Sequence, residues 1–178
     1  MKPTVRLWLA RHGDTSWNEA GRLSGWADPG LSPGGWAQAR ALGRTLDGRT
    51  IDSAWASDLR RAVETATIAL EVAGSPVHLE VDHRLRELRF GSIEGSRWEE
   101  LTPELRQGLM AFDGFRAPGG ESVEDLRSRV WSLVDSLPAG DHLLVTHGGV
   151  IRLLKRNPSG DAFVAPGSLT ELVLPART

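Results

Sequence analysis

The chain has no cysteine. That excludes disulfides, thiol catalysis and Cys-based zinc sites. It has no apolar run long enough to span a bilayer. Lysine occurs only at Lys2 and Lys155, and the formal net charge of −2 argues against a general nucleic-acid binder. Tyrosine is absent beside seven tryptophans, and the sequence gives no physical account of that imbalance. Met1-Lys2-Pro3 leads straight into an apolar run, so no signal peptide, a cytoplasmic location and no membrane partner are expected. What is there is ordinary: 178 residues, 40% hydrophobic and 25% charged, enough for a real core. No repeat, low-complexity tract or linker divides it, so one domain over 1–178 is expected.

Val5 to Ala10 is a candidate buried strand that stops at Arg11-His12-Gly13. A cation and an imidazole at the end of a buried strand suit a ligand, because open α/β sheets bind ligands beyond the carboxyl ends of their strands. Gly13 is expected to let the backbone turn and approach that ligand. A loop follows to Gly30. Ser32 caps a helix with Pro33 at its first position and Trp36, Ala39, Leu42 and Leu46 on one face. Ile51 to Ala56 reads as a strand. Ser57 or Asp58 caps the next helix, which Gly74 ends.

Further on, Val77 to Val81 reads as a strand, 84–95 as loop, and 97–112 as a helical stretch interrupted by Pro103. Ser122 and Asp125 form an acidic capping box for a helix running to about Leu137. His142 to Thr146 is a buried strand ending in His147-Gly148-Gly149, Val150 to Arg156 a short helix, and Leu169 to Leu174 a last strand. Strands alternating with helices predict an α/β fold, a three-layer α/β/α sandwich around a mostly parallel central sheet.

Two strands thus end in His-Gly. If they are parallel neighbours, His12 and His147 emerge on one edge, and Arg60 reaches it from the first turn of a helix. Two Arg and two His make an anion site, with a phosphoryl group as the natural ligand. Arg11 and Arg60 would grip its oxygens. A neutral imidazole can attack phosphorus and form a covalent intermediate. Glu87 is the best candidate to protonate the leaving alkoxide.

At this point the chain resembles the histidine phosphatase, or phosphoglycerate-mutase-like, superfamily. The matching stretches are Arg11-His12-Gly13, Asn18, Ser24-Gly25-Trp26, Leu31-Ser32, Ser57 to Ala62, Thr65-Ala66, Arg84 to Glu87, Phe90-Gly91, Glu94-Gly95, Pro118 to Ser122 and Thr146 to Gly149, in the family's order. The resemblance implies a phosphohistidine enzyme with His12 as phospho-acceptor. It implies Arg11, Arg60 and His147 as the phosphate pocket, Asn18 as an added donor and Glu87 as proton donor, with no metal and no cofactor. Ser24, Gly25 and Gly148, inside the matching stretches, join the phosphate-binding set.

Asp14 stands where the family more often has Glu. Glu87 is followed by Leu88-Arg89-Phe90-Gly91, the phosphatase pattern, where cofactor-dependent mutases usually have Arg-His-Tyr-Gly and a longer insertion. The implied activity is therefore phosphomonoester hydrolysis on a small phosphorylated metabolite. Length and the loop from Gly114 to Ser122 look most like α-ribazole-5′-phosphate phosphatases of cobalamin assembly. The alternatives are a cofactor-dependent phosphoglycerate mutase and a non-catalytic phospholigand-binding module. A dead module should lack His12, Glu87 or one Arg, and none is missing. A monomer or homodimer is expected.

His78, His83 and His142 read as surface or structural. Glu94, Glu99 and Glu100 read as a solvated helix face. Trp36, Trp55 and Trp131 read as core. Trp17, Trp26 and Trp98 flank the site, where they either pack loops or touch substrate. Phe112 and Phe115 either close a lid or pin a loop.

Overall fold

The computed structural model describes residues 3–155 and 163–176. A five-stranded sheet runs in the order β3-β2-β4-β1-β5. Its strands are β1 (Thr4–Arg11), β2 (Ser53–Ala56), β3 (Leu79–Val81), β4 (Gly140–Thr146) and β5 (Leu169–Pro175). The first four are mutually parallel, and β5 closes one edge antiparallel to β1.

Alternation along the strands divides the core. Leu7 and Leu9 on β1 and Leu144 on β4 point to the face covered by α5 (Val123–Val134) and α6 (Gly148–Lys155). Ala10, Leu143 and Val145 point to the other face, covered by α2 (Pro33–Leu46) and α3 (Arg60–Val72). Helices on both faces explain why β4 reads as an uninterrupted apolar run. Two further helices, α1 (Ser16–Glu19) and α4 (Pro103–Ala111), lie in the connecting segments.

Capping chemistry sets several boundaries. The Ser32 hydroxyl accepts the Gly35 N–H at 3.1 Å, with Pro33 at the first position of α2. Ser122 and Asp125 form the reciprocal capping box of α5. Neither Ser57 nor Asp58 caps α3. Its N-cap is Leu59, which makes no side-chain cap bond, and the Asp28 carboxylate accepts the Arg60 N–H at 2.7 Å instead. The acceptor comes from a distant loop, so local sequence could not name it.

Segment 82–101 holds three short 3₁₀ turns, at His83–Leu85, Gly91–Ile93 and Trp98–Glu100, where a loop and the start of a helix were expected. Helix α5 ends at Val134, short of Leu137, and the expected end of α6 at Arg156 lies outside the described residues. Trp55 and Trp131 pack against the core, but Trp36 is 41% exposed beneath the Arg40 guanidinium. His142 is a structural core histidine, bonded to the Ser53 hydroxyl and the Pro138 carbonyl at 2.8 Å each.

Candidate active site

The parallel β1–β4 register pairs Arg11 with Thr146, so His12 and His147 leave the sheet side by side. Their ring centroids are 5.0 Å apart and both side chains are buried. Gly13 follows at the strand end, but it does not occupy the left-handed region. A β-carbon there would strike the backbone of Gly35, and one at Gly35 would strike the backbone of Asp14. The two glycines let α2 approach the end of β1, and the Thr65 hydroxyl on α3 accepts the Gly13 N–H at 3.0 Å. The glycine therefore serves helix packing rather than close approach to a ligand.

The two imidazoles are oriented by their neighbours. His12 Nδ1 lies 2.7 Å from the Gly13 carbonyl, which can only accept, so Nδ1 carries the proton. Nε2 is then the acceptor of the Arg61 Nε–H at 3.3 Å. His147 Nε2 lies 2.9 Å from Ser57 Oγ, while its buried Nδ1 has no protein partner. Ser57 Oγ accepts the Leu59 N–H, so its own proton can go to His147 Nε2, leaving Nδ1–H as a donor facing an anion. Burial, and then the Arg61 cation, push both imidazoles well below the ordinary histidine pKa. Both are neutral at physiological pH.

The second arginine of the site is Arg61 and not Arg60. Consecutive residues on a helix project about 100° apart, so only one of the pair can face the sheet edge. Arg60 is exposed and pairs with Glu64 one turn on, at 2.7 Å. Arg61 is 1% exposed. Its Nη1 and Nη2 donate to the Ala27 and Gly25 carbonyls at 2.8 Å each, which holds Nε on His12. Burial lowers its pKa to about 10, still cationic at neutral pH. Gly25 thus contributes a carbonyl that fixes Arg61, and its φ of 52° suits glycine.

Arg11 is half-buried. Its Nη1 donates to the Val164 carbonyl, its guanidinium lies 5.7 Å from the Phe163 ring centroid, and its buried Nε is unpartnered. Buried polar groups are nearly always satisfied, so this donor and His147 Nδ1, at the ends of neighbouring strands, are suited to an anion, and the buried Ser24 hydroxyl is also unpartnered. Asn18 closes α1's capping box, its side-chain oxygen accepting from the Thr15 amide and hydroxyl. Only its amide nitrogen remains for a ligand. Gly148 opens α6 beside the Arg11 guanidinium.

Glu87 sits across from this cluster. Its carboxylate oxygens accept the Leu88 and Gly149 N–H groups at 2.8 and 3.0 Å. A β-carbon at Gly149 would collide with that carboxylate, which is why the second glycine after His147 matters. The Glu87 carbonyl is held twice, by the Trp26 indole and by Arg129 Nη2, both at 2.8 Å. Arg129 Nη1 also donates to the Arg84 and Arg86 carbonyls, at 2.8 and 2.6 Å. Glu121 accepts from Arg129 Nε and Nη2 at 2.8 Å each. Sequence reasoning missed Arg129, because an Arg on a helix carries no signal that it spans backbone carbonyls.

Glu94 also differs from the expected solvated glutamate. Its carboxylate accepts the Trp26, Phe90 and Ala27 N–H groups at 3.0, 3.0 and 3.2 Å, tying the Ser24-Gly25-Trp26 loop to the Glu87 segment. Trp26 therefore packs loops, with the Arg86 guanidinium over its ring at 4.7 Å. Glu99 and Glu100 are exposed as expected.

A family model described as the histidine phosphatase superfamily (branch 1) matches residues 7–162. The chain belongs to the histidine phosphatase superfamily. Among similar solved structures, TTHB049 from Thermus thermophilus is 41% identical, covers 94% of this chain and 92% of that one, and superposes with a TM-score of 0.82. A structure described as phosphoglycerate mutase from the same organism is 42% identical, with the same coverage and a TM-score of 0.81. One described as Mycobacterial hydrolase 1 is 30% identical, covers 96% and 91%, and has a TM-score of 0.84. The probable phosphoglycerate mutase GpmB of Yersinia pestis (strain Pestoides F) is 37% identical over 152 residues, 81% of this chain and 70% of that protein. Members of this superfamily are enzymes, phosphatases or mutases.

Proposed function

We propose that this protein is a metal-independent phosphomonoesterase acting through a phosphohistidine at His12. One observation carries the reading. His12 Nδ1 donates to the Gly13 carbonyl while Nε2 accepts the Arg61 Nε–H, so burial and the cation keep the ring neutral and Nε2 is turned toward the cations, a contact it gives up on attack. In the first step Nε2 bonds to phosphorus and the phosphorus–alkoxide bond breaks. The departing oxygen takes the carboxyl proton of Glu87, while Arg11, Arg61 and His147 Nδ1–H stabilise the non-bridging oxygens. In the second step water attacks phosphorus and the phosphorus–nitrogen bond breaks. Glu87 takes the water's proton, and phosphate leaves with the imidazole neutral again.

The names of the relatives also fit a second reading, a phosphoglycerate mutase. The Leu88-Arg89-Phe90 sequence after Glu87 favours hydrolysis, and α-ribazole 5′-phosphate belongs among the substrates to be screened. The test is product analysis with EDTA present. Hydrolysis supplies inorganic phosphate from p-nitrophenyl phosphate and from metabolite esters, and His12→Ala abolishes it. Interconversion of 2- and 3-phosphoglycerate dependent on 2,3-bisphosphoglycerate, exceeding hydrolysis, would replace the hydrolase with the mutase.

A further inference from the structure

Beside Glu87 and Arg11 opens a cavity of about 270 Å³. Glu87, the proposed proton donor, and Arg11 both line it, and its walls are mostly apolar. Leu23 and Phe90 line it from the loops, Leu109, Met110 and Phe112 from the end of α4, and Trp98 from the preceding turn. Trp98, Met110 and Phe163 at its mouth are exposed by 38, 54 and 71%. Large apolar side chains left in solvent around one concavity mark a surface that receives an apolar group.

Two details shape the inner wall. Phe112 has φ 52° and ψ 34°, the one left-handed non-glycine among the described residues. As the C-cap of α4, it ends the helix in the left-handed turn that helices commonly use. That turn brings the Phe112 ring toward Gly149, whose missing β-carbon makes room for both that ring and the Glu87 carboxylate.

The two cations on the wall are held in place by backbone carbonyls. Arg152 donates to the Leu109 and Met110 carbonyls at 3.1 and 2.8 Å and stacks 4.6 Å from the Phe112 centroid. Arg11 Nη1 is held by the Val164 carbonyl. Most of the wall is apolar, so a small hydrophilic alcohol seated there would lose its water along most of its surface without gaining polar partners.

We infer that this cavity receives the body of the leaving alcohol, so the preferred substrates are phosphomonoesters of aromatic or alicyclic alcohols rather than of small hydrophilic ones. This rests on the phosphomonoesterase reading above. Phe112 and Met110 then act as specificity determinants, packing on that body while Glu87 protonates its oxygen. The cavity lies below the roughly 300–1,000 Å³ typical of drug-sized ligands, which suits a single ring system.

The test compares alkyl esters of similar leaving-group basicity: 2-phenylethyl phosphate, glycerol 3-phosphate and 3-phosphoglycerate. We expect kcat/KM for the phenylethyl ester to exceed both others by about tenfold or more, the scale on which a hydrophobic pocket discriminates. Phe112→Ala and Met110→Ser should each shrink that ratio, mainly by raising KM for the phenylethyl ester. Circular dichroism spectra like that of the parent protein would confirm that each variant is folded. Equal or greater kcat/KM for the polar esters, or a ratio unchanged in both folded variants, overturns this inference and leaves the phosphomonoesterase standing. No hydrolysis of any ester, p-nitrophenyl phosphate included, overturns the parent reading and this inference with it.

Discussion

His12 and His147 stand at the ends of two parallel strands, with Arg11 and Thr146 closing the register between them. Glu87, their proposed partner in catalysis, stands in a segment of turns with no strand or long helix of its own. The two halves of the site are therefore fixed by different means. The phosphate half inherits its geometry from sheet hydrogen bonds and from α3. The Glu87 half is assembled by side chains bonding to backbone: Arg129 on three carbonyls, Trp26 on one, Glu94 on three N–H groups, and Thr146 on the Leu85 carbonyl at 2.7 Å. Regular structure can place a group where the chain needs no further help. A group in a turn needs neighbours that bond to its backbone.

The phosphate half is the place for the largest effects short of losing His12. Arg61→Ala should cut kcat/KM by about 10²–10³-fold, the scale for removing one donor aimed at transition-state charge. Arg60→Ala, which removes only an exposed pair with Glu64, should change it by less than about threefold. Steady-state kinetics on p-nitrophenyl phosphate decide this. A large loss at Arg60 with none at Arg61 would reverse the assignment.

Smaller effects are expected in the Glu87 half, and they should depend on the leaving group. Glu87→Gln keeps shape but has no carboxyl proton, so it should slow alkyl phosphates far more than p-nitrophenyl phosphate, whose phenolate needs little help. Arg129→Gln should reproduce that pattern more weakly, by about tenfold to a hundredfold on the alkyl ester, because it displaces the donor without removing it. Single-turnover phosphorylation on both esters gives the readout. An equal loss on both would reduce Arg129 to a structural residue.

The smallest effect is on stability. His12 and His147 have folded pKa values below the unfolded value near 6.5. The unfolded chain therefore binds more protons as pH falls through that value. Stability is full above it and declines toward the lower folded pKa values. In phosphate-free buffer Tm should fall by a few degrees between pH 7.5 and 5.5. His147→Gln should flatten that slope. The paired carboxylates of Asp58 and Asp82, held low by Arg86 and Arg84, titrate below this window. A Tm that is flat or rises toward pH 5.5 would show that the buried imidazoles are not both neutral.

The same contrast explains what the sequence revealed. The strand ends are legible because apolar runs that stop at Arg-His-Gly and His-Gly-Gly place their histidines by strand geometry alone. The parallel sheet follows from alternating elements. The sequence points to Arg60 instead of Arg61 because Ser57 and Asp58 set the helix start too early, and a one-residue error rotates a helix by about 100°. The actual cap comes from Asp28, which no local pattern could supply. Gly13 reads as a ligand-facing glycine because its true partner, Gly35, lies on another element. Glu94 and Arg129 are illegible for a similar reason: what they hold around Glu87 is backbone, which leaves no mark in residue identity.

The account stands on His12 as the residue that takes the phosphoryl group. The direct measurement is rapid quench of a single turnover with a labelled phosphomonoester, followed by peptide mapping under alkaline conditions that preserve phosphohistidine. The account predicts an acid-labile phosphoryl group on the peptide containing His12, formed at a rate no slower than turnover, and absent in His12→Ala. A phosphoryl group on another residue, or substantial turnover by His12→Ala with no phosphoenzyme, would contradict it.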